Sequence, residues 1–434
     1  MSNCRTVIIG LDGVPFEMIR RLCGAGVMPH TRVLLEEGIF RQMRSTVPEI
    51  SSVAWSSMIT GTNPGVHGIF GFMDLFEGSY RMRFPNFRDL RAEPFWREWP
   101  GESVIINVPS TYPVEPMEGV HISGFVSVDM ARSVHPAGLL DKLTEMDYRL
   151  DVDSQKAHSS MALFLSDLNK TLEARIRASR YLWDHVDWRT FMLVFTGTDR
   201  LMHFLWNAYE DERHVHHDFF LDHFRRIDEA VGEFCARMND TDLLVMHSDH
   251  GFERLDWDIQ INHVLKEAGF LAFEAGEEEV LRNIHPTSRA FALEPGRVYV
   301  HRRGKYPRGC VDDEADTIMA DLEQVFSRLE VEGRKVIRDV YRAEDIYSGP
   351  QVEHGPDLVL VGAEGFNLRA TMKARVLAER GIFTGKHTQD NAFLLVRPCG
   401  GEADLPEWPE ISEVRTIIET MNPALAGVCG RRYA

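Results

Sequence analysis

No stretch of this sequence approaches the roughly 18 consecutive apolar residues that a membrane-spanning helix requires. The N-terminal MSNCRTVIIGLDG has an apolar run of only five residues before Asp12, too short for a secretory core. These absences read as a cytoplasmic protein with no membrane partner. The six cysteines, Cys4, Cys23, Cys235, Cys310, Cys399 and Cys429, include no C-x-x-C pair and no tight cluster, which argues against a disulfide framework or a thiolate metal site. A metal would have to be held by oxygen and nitrogen. There is no block of basic or acidic charge either. The 66 acidic and 48 basic residues, net charge -18, are spread along the chain, which disfavours a nucleic acid polymer as partner. No repeat period, low-complexity tract or linker breaks the sequence, and nothing in it fixes an oligomeric state.

What the sequence does have is alternation. Apolar runs recur at VIIGL (7–11), SVIINV (103–108), VHISGF (120–125), TFMLVF (190–195), DLLVMHS (242–248), DLVLVG (357–362) and AFLLVR (392–397). Amphipathic helical patterns lie between many of them, such as PFEMIRRLCGAG, MALFLSDLNKTLEARIRASRYLWDHV and HDFFLDHFRRIDEAVGEFCARM. Continuous apolar strands alternating with such helices predict an α/β fold whose mainly parallel central sheet is covered by helices on both faces. The stretch 255–350 reads as an inserted subdomain on the substrate side, with 1–254 and 351–434 forming the core. In sheets of this kind ligands collect beyond the carboxyl ends of the strands.

Three strands end on a carboxylate: VIIGL runs into Asp12, TFMLVF through TGT into Asp199, and DLLVMHS into Asp249 and His250. One aspartate after a strand is an ordinary turn former or helix cap. Three delivered to one rim would repel strongly, and a cation relieves that repulsion. His203 follows Asp199 by four residues, on the same face of a helical turn. Imidazole together with carboxylate suits zinc, and the two Asp/His sets are enough for two ions. His387 stands in the glycine-rich GIFTGKHTQDNAFLLVRP, directly before a strand, where loops at a rim commonly carry function. His214, His216 and His217, crowded among charges at a helix start, read as solvent-facing.

STVPEISSVAWSSMITGTNPGVHGIFGF contains a helix signature from Ser51 to Ile59, with Ser51 or Ser52 as the expected N-cap. A hydroxyl there faces the positive end of the helix dipole, which favours an alkoxide and an approaching phosphate. From this segment and from GLDG (10–13), INVPSTYP (106–113), DWRTFMLVFTGTDRLMHFLW (187–206), SDHGF (248–252) and GKHTQDNAFLL (385–395), the chain resembles the alkaline phosphatase superfamily, in its branch of type I phosphodiesterase and nucleotide pyrophosphatase-like proteins.

The resemblance implies an alkaline phosphatase-like fold and a phosphodiesterase or nucleotide pyrophosphatase acting on a small-molecule phosphate ester or nucleotide-type substrate. It implies Ser51 as the nucleophile that becomes a phosphoserine, with Ser52 the alternative. It implies Asp12, Asp249 and His250 as ligands of one metal, contacted by Ser51, and Asp199, His203 and His387 as ligands of the other. Both ions are expected to be zinc, with manganese as the substitute. A phosphomonoesterase or a phosphotransferase of the phosphoglycerate mutase type on the same scaffold is the second implication. The sulfatase group is disfavoured, because Ser51 leads Ser-Val-Ala-Trp rather than a C/S-x-P-x-R context. Ala54 stands where diesterases of this branch often carry an Asn, so Arg200, Arg254 and Arg289 are the expected substrate-orienting groups. From Arg44 to Arg81 there is no Lys or Arg, and Val53, Ala54 and Trp55 are expected to form an apolar wall suited to an esterified substituent.

Overall fold

The computed structural model describes residues 4–400 and 404–429, the side chains of Val428 and Cys429 excepted. It divides into two compact units, 1–62 with 86–252 and 387–434, and 63–85 with 253–386. The second unit thus takes in 351–386 and 63–85 as well as the 255–350 stretch that the sequence marks as an insertion. Cys4, Cys23, Cys235, Cys310 and Cys399 are free thiols, and the side chain of Cys429 lies outside the described residues. Among the described residues no helix is long and apolar enough to cross a membrane.

The first unit is built on eight strands: β1 (Thr6–Leu11), β2 (Ile39–Met43), β3 (Glu102–Val108), β4 (Gly119–Ser123), β5 (Val134–His135), β6 (Trp188–Phe195), β7 (Leu243–His247) and β8 (Ala392–Arg397). Their order across the sheet is β2-β8-β7-β1-β6-β3-β4-β5. The five strands from β7 to β4 are parallel, with Thr6 to Leu11 of β1 in register with Thr190 to Phe195 of β6. Near-continuous Val, Ile, Leu and Phe make this possible, since a parallel strand buried on both faces has no polar side to satisfy. Helices flank the sheet, giving the mixed α/β architecture that the alternating pattern predicts. β8 runs antiparallel to β7, and β2 antiparallel to β8. The amino end of β8 therefore reaches the same rim as the carboxyl ends of β1, β6 and β7, which brings His387, on the short strand Gly385–Thr388 rather than in a loop, to the three strand-end aspartates.

Six helices matter for the site: α1 (Phe16–Gly24), α2 (Pro29–Glu37), α3 (Ser51–Thr60), α4 (Met161–His185), α5 (Gly197–Glu210) and α6 (His217–Ala236). Along α4, Phe164, Leu168, Leu172, Ile176 and Trp183 are buried at helical spacing, and the Ser160 hydroxyl accepts from the Leu163 N–H at its start. α3 is buried along its whole length. Val53, Ala54 and Trp55 are fully inaccessible, so the apolar wall expected for a substrate is instead core. The reason is a close approach: Trp55 lies against β1 where Gly10 has no side chain, and a β-carbon there would run into the indole ring.

The second unit has a core of its own around Leu265, Phe291, Leu322, Phe326 and Leu360. Its largest sheet is antiparallel, with Ala290–Leu293, Arg297–Val300, Leu358–Gly362 and Ile337–Arg342 in spatial order. DLVLVG, which reads as one more apolar core strand, pairs here with Arg297–Val298 and with Ile337–Arg342 and is no part of the parallel sheet. Apolarity marked it as buried; it carried no information about which sheet.

Gly10→Ala is expected to lower the unfolding free energy by about 1–3 kcal/mol through overpacking against Trp55, measured by urea denaturation, with Gly10→Ala/Trp55→Phe recovering part of the loss. A second expectation concerns acid. His121 on β4 and His223 on α6 are fully buried, neither ring nitrogen of either has a hydrogen-bond partner, and burial holds both down to about 3. Below pH 6.5 the unfolded chain takes up protons that these native imidazoles refuse, so each removes about 1.4 kcal/mol of stability per pH unit until its folded value is reached. His121→Phe should flatten the fall in stability between pH 6.5 and pH 4; an unaltered acid limb would contradict this account of the burial.

Candidate active site

β1 delivers Asp12 to the rim, and the strand's last bond continues past it: the Asp12 N–H donates to the Phe195 carbonyl at 3.2 Å. The Thr198 hydroxyl donates back to the Asp12 carbonyl at 2.6 Å, tying the carboxyl ends of β1 and β6 together. Gly13 turns the chain at φ +74°, a conformation that a side chain disfavours, and its N–H donates to Asp249 Oδ1 at 3.0 Å. Trp55 Nε1 donates to Asp12 Oδ2 at 3.4 Å. Each strand-end carboxylate is thus held by one oxygen or by its backbone, and its other oxygen faces the rim.

α3 begins differently from expectation. Its N-cap is Ile50, in extended conformation, and Ser51 is the first residue of the helix. Neither serine caps the helix with its side chain, because the Ser51 hydroxyl turns toward the rim. Its Oγ lies 3.3 Å from Asp12 Oδ1 and 3.2 Å from His250 Nε2. Ser52, the alternative nucleophile, is buried with no hydrogen-bond partner for its hydroxyl and has none of these contacts.

Two groups of potential metal-holding atoms result: Asp199, His203 and His387; and Asp12, Asp199 and His250. Asp199 belongs to both. In the first, His387 Nε2 lies 3.0 Å from Asp199 Oδ1 and 3.0 Å from His203 Nε2. In the second, His250 Nε2 lies 3.6 Å from Asp12 Oδ1; Asp249, expected as a ligand here, is in neither group, although its Oδ2 lies 3.4 Å from His250 Nε2. The rings of His250 and His387 stack at 3.7 Å between centroids, and Phe252 packs against His203 and His387 at 4.8 and 5.2 Å.

Proton counting shows which atoms are free to accept. Nδ1 of His387 faces the Glu49 carbonyl at 3.0 Å and Nδ1 of His250 faces the Gly251 carbonyl at 3.0 Å. A carbonyl oxygen only accepts, so both Nδ1 atoms carry the proton and both Nε2 atoms turn a lone pair inward. Three carboxylates face the same space, and Asp249 Oδ2 has no hydrogen-bond partner. Acceptors therefore face acceptors, a set that divalent cations could relieve.

Burial and the charges of Asp249 and Asp199 push Asp12 well above the usual carboxylate range. Burial, aided by Asp199, pushes Asp249 up to about 7. Asp199 moves the other way: burial raises it, but the imidazoles of His203 and His387 and the guanidinium of Arg200 outweigh burial. Burial and the His387 ring bring His250 down to about 4, and burial also lowers His387.

Of the three arginines expected to orient substrate, only Arg200 belongs to this unit. Its Nη1 donates to Asp199 Oδ2 at 2.8 Å and its Nη2 to Asp151 Oδ2 at 2.9 Å. Arg254 and Arg289 belong to the other unit, where the Arg289 guanidinium lies 4.3 Å over the Phe270 ring. The His214, His216 and His217 cluster is half-buried rather than solvent-facing, because His217 Nδ1 bonds the Ala208 carbonyl at 2.7 Å and His214 Nδ1 accepts the His216 N–H. Sequence reasoning missed Thr198, Phe252 and Asp151. The first two sit inside the TGTD and SDHGF segments and were within reach; Asp151, in RLDVD, has no local signal.

The sequence profile of the type I phosphodiesterase/nucleotide pyrophosphatase family matches residues 6–390. Among solved structures, phosphonoacetate hydrolase from Sinorhizobium meliloti 1021 in complex with phosphonoformate superposes with a TM-score of 0.62 at 16% identity, over 98% of this chain and 96% of that one. Murine ectonucleotide pyrophosphatase/phosphodiesterase 5 superposes with a TM-score of 0.53 at 12% identity, over 96% and 95% of the two chains, and its inactive variant has been solved in complex with AMP. No curated protein matches the chain significantly. At these identities the neighbours establish the alkaline phosphatase-like fold, and the family match establishes descent: the chain belongs to the type I phosphodiesterase/nucleotide pyrophosphatase family, hydrolases that act on phosphoester bonds.

Proposed function

We propose that the protein is a two-metal phosphohydrolase that cleaves a phosphodiester or a nucleotide-type pyrophosphate bond by way of a phosphoserine at Ser51. The observation that carries this reading is the position of the Ser51 hydroxyl: at the first turn of a helix, beside Asp12 and His250, at the edge of a cluster of inward-facing acceptors. Asp12, Asp249 and His250, with Ser51, would hold one divalent ion; Asp199, His203 and His387 would hold the other. Imidazole and carboxylate ligands favour zinc, with manganese as the substitute. Such ions supply Lewis acidity that stabilises oxyanions at neutral pH.

Ser51 Oγ attacks phosphorus in line as the bond to the leaving oxygen breaks on the far side. Water then displaces Ser51 from phosphorus, and the hydroxyl is regenerated. The amino end of α3, at Ser51, turns the positive end of its dipole toward the incoming phosphoryl group. Two divalent ions carry four positive charges; three carboxylates and a serine alkoxide carry four negative ones. A near-neutral centre accepts an anionic phosphate without a large electrostatic penalty. A small-molecule substrate accords with the AMP and phosphonate complexes of the structural neighbours.

Arg200 does not by itself open a monoester reading, because its Nε and Nη2 bond Asp151 and its Nη1 bonds Asp199. A monoester has one more charged oxygen than a diester, and an arginine beside the nucleophile is the usual means of holding it. Family membership favours the diester. With one leaving group and zinc present, kcat/KM is expected to be higher for an aryl phosphodiester than for the matching monoester; the reverse order would move the assignment to a phosphomonoesterase or a mutase-type phosphotransferase.

Ser51→Ala should reduce turnover on the order of 10³-fold or more, with the fold and metal content retained. Acid quench of the wild type during turnover of a phosphorus-labelled substrate should leave label on the Ser51 peptide. Loss of activity in Ser52→Ala with Ser51→Ala unimpaired would move the nucleophile to the neighbouring residue.

A further inference from the structure

Beneath the rim runs a polar chain that the proposed reaction does not use. Arg175, on α4, is 2% exposed, and its Nη1 donates to Thr196 Oγ1 at 3.1 Å. Asn107 Nδ2, from the end of β3, donates to the same oxygen at 3.1 Å. The Thr196 hydroxyl in turn donates to Asp151 Oδ1 at 3.3 Å. Arg175 Nη2 bonds the Arg149 and Leu150 carbonyls at 3.3 and 2.9 Å, so the segment that carries Asp151 is pinned from below.

Asp151 Oδ2 then takes two bonds from Arg200, Nη2 at 2.9 Å and Nε at 3.3 Å. With that edge of the guanidinium fixed, and its face 4.3 Å over the Phe125 ring, Nη1 points at Asp199 Oδ2. Asp199 consequently has one oxygen engaged by Arg200 and the other, Oδ1, 3.0 Å from His387 Nε2 and 3.4 Å from His203 Nε2.

We propose that the Asp151–Arg200 pair is a positioning device that holds Asp199 Oδ2 away from the metal, so that Asp199 presents Oδ1 alone, and that it thereby sets the metal affinity of the Asp199–His203–His387 half of the centre. The inference rests on the reading of those three residues as a metal site. A carboxylate free to rotate could offer either oxygen or both. Arg200 removes that freedom. Asp151 supplies what Arg200 needs to stay fixed, a charge-assisted partner on its opposite edge. Lysine could reproduce the charge but not the two-sided fork.

The test is a zinc titration of metal-stripped protein in competition with a chromophoric chelator, for the wild type, Asp151→Asn and Arg200→Lys. The wild type should take up two ions. In Asp151→Asn one of the two affinities should fall about 10–100-fold, the range expected when a partner of a metal ligand is lost, while the other stays within twofold. The cobalt-substituted protein should change its visible absorption at one site only, and kcat measured at saturating zinc should fall with KM nearly unchanged. Two wild-type affinities with an unaltered cobalt spectrum would overturn the proposal, as would a shift confined to KM, which would make Arg200 a substrate-binding group. If Asp151→Asn does not fold, Arg200→Lys decides in the same way: weakening of one site supports the device, and two unchanged sites refute it. A wild type that binds no zinc, manganese or cobalt would refute the metal reading itself, a result separate from either outcome for the variants.

Discussion

Everything at the rim of this sheet follows from acceptors being forced to face one another. Asp12, Asp199 and Asp249 arrive on three strand ends, and the imidazoles of His250 and His387 turn their unprotonated nitrogens inward because main-chain carbonyls hold the other side of each ring. The strain of that set shows in the upward shift of Asp12 and Asp249, which favours their protonated forms, and in the unpartnered Asp249 Oδ2. A cavity of lone pairs is costly to build and is stable when cations fill it. The fold meets that cost with features that have no other evident purpose: Gly10 and Gly13 where a β-carbon would obstruct, Thr198 tying two strand ends, and Phe252 bracing two imidazoles.

The sheet itself makes the convergence possible. Parallel strands deliver their carboxyl ends to one edge, and the antiparallel β8 adds its amino end to the same edge. Residues separated by up to 375 positions, Asp12 and His387, thus reach one centre without a long excursion of the chain. The serine enters from a helix that packs directly on β1, so its placement depends on Trp55 fitting against Gly10. Core packing and the position of the Ser51 hydroxyl are one constraint here.

Much of this was legible in the sequence. The strand-end aspartates, the D-x-x-x-H pair, His387 before a strand and Ser51 at a helix start all lie where the pattern of apolar runs puts them, because period and punctuation carry local geometry. Other parts were not legible, for identifiable reasons. Trp55 reads as apolar whether it lines a pocket or fills a core, and only its meeting with Gly10 decides. DLVLVG reads as buried, but sheet membership is a long-range property. The expected capping serine is displaced by one residue, because Ile50 can occupy the N-cap position while Ser51 serves the rim. Asp151 has no periodicity or motif around it, and its importance appears only when Thr196 and Arg200 are seen on either side of it.

The central claim is that these facing acceptors exist to hold two divalent ions beside Ser51. Anomalous diffraction at the zinc edge from crystals of the protein grown with zinc tests it most directly. The account predicts two peaks per chain, one flanked by Asp199, His203 and His387 and the other by Asp12, Asp249 and His250, with Ser51 Oγ at the second. A zinc-loaded crystal with one peak or none at the rim, with the three carboxylates satisfied by protons and protein donors instead, would contradict it.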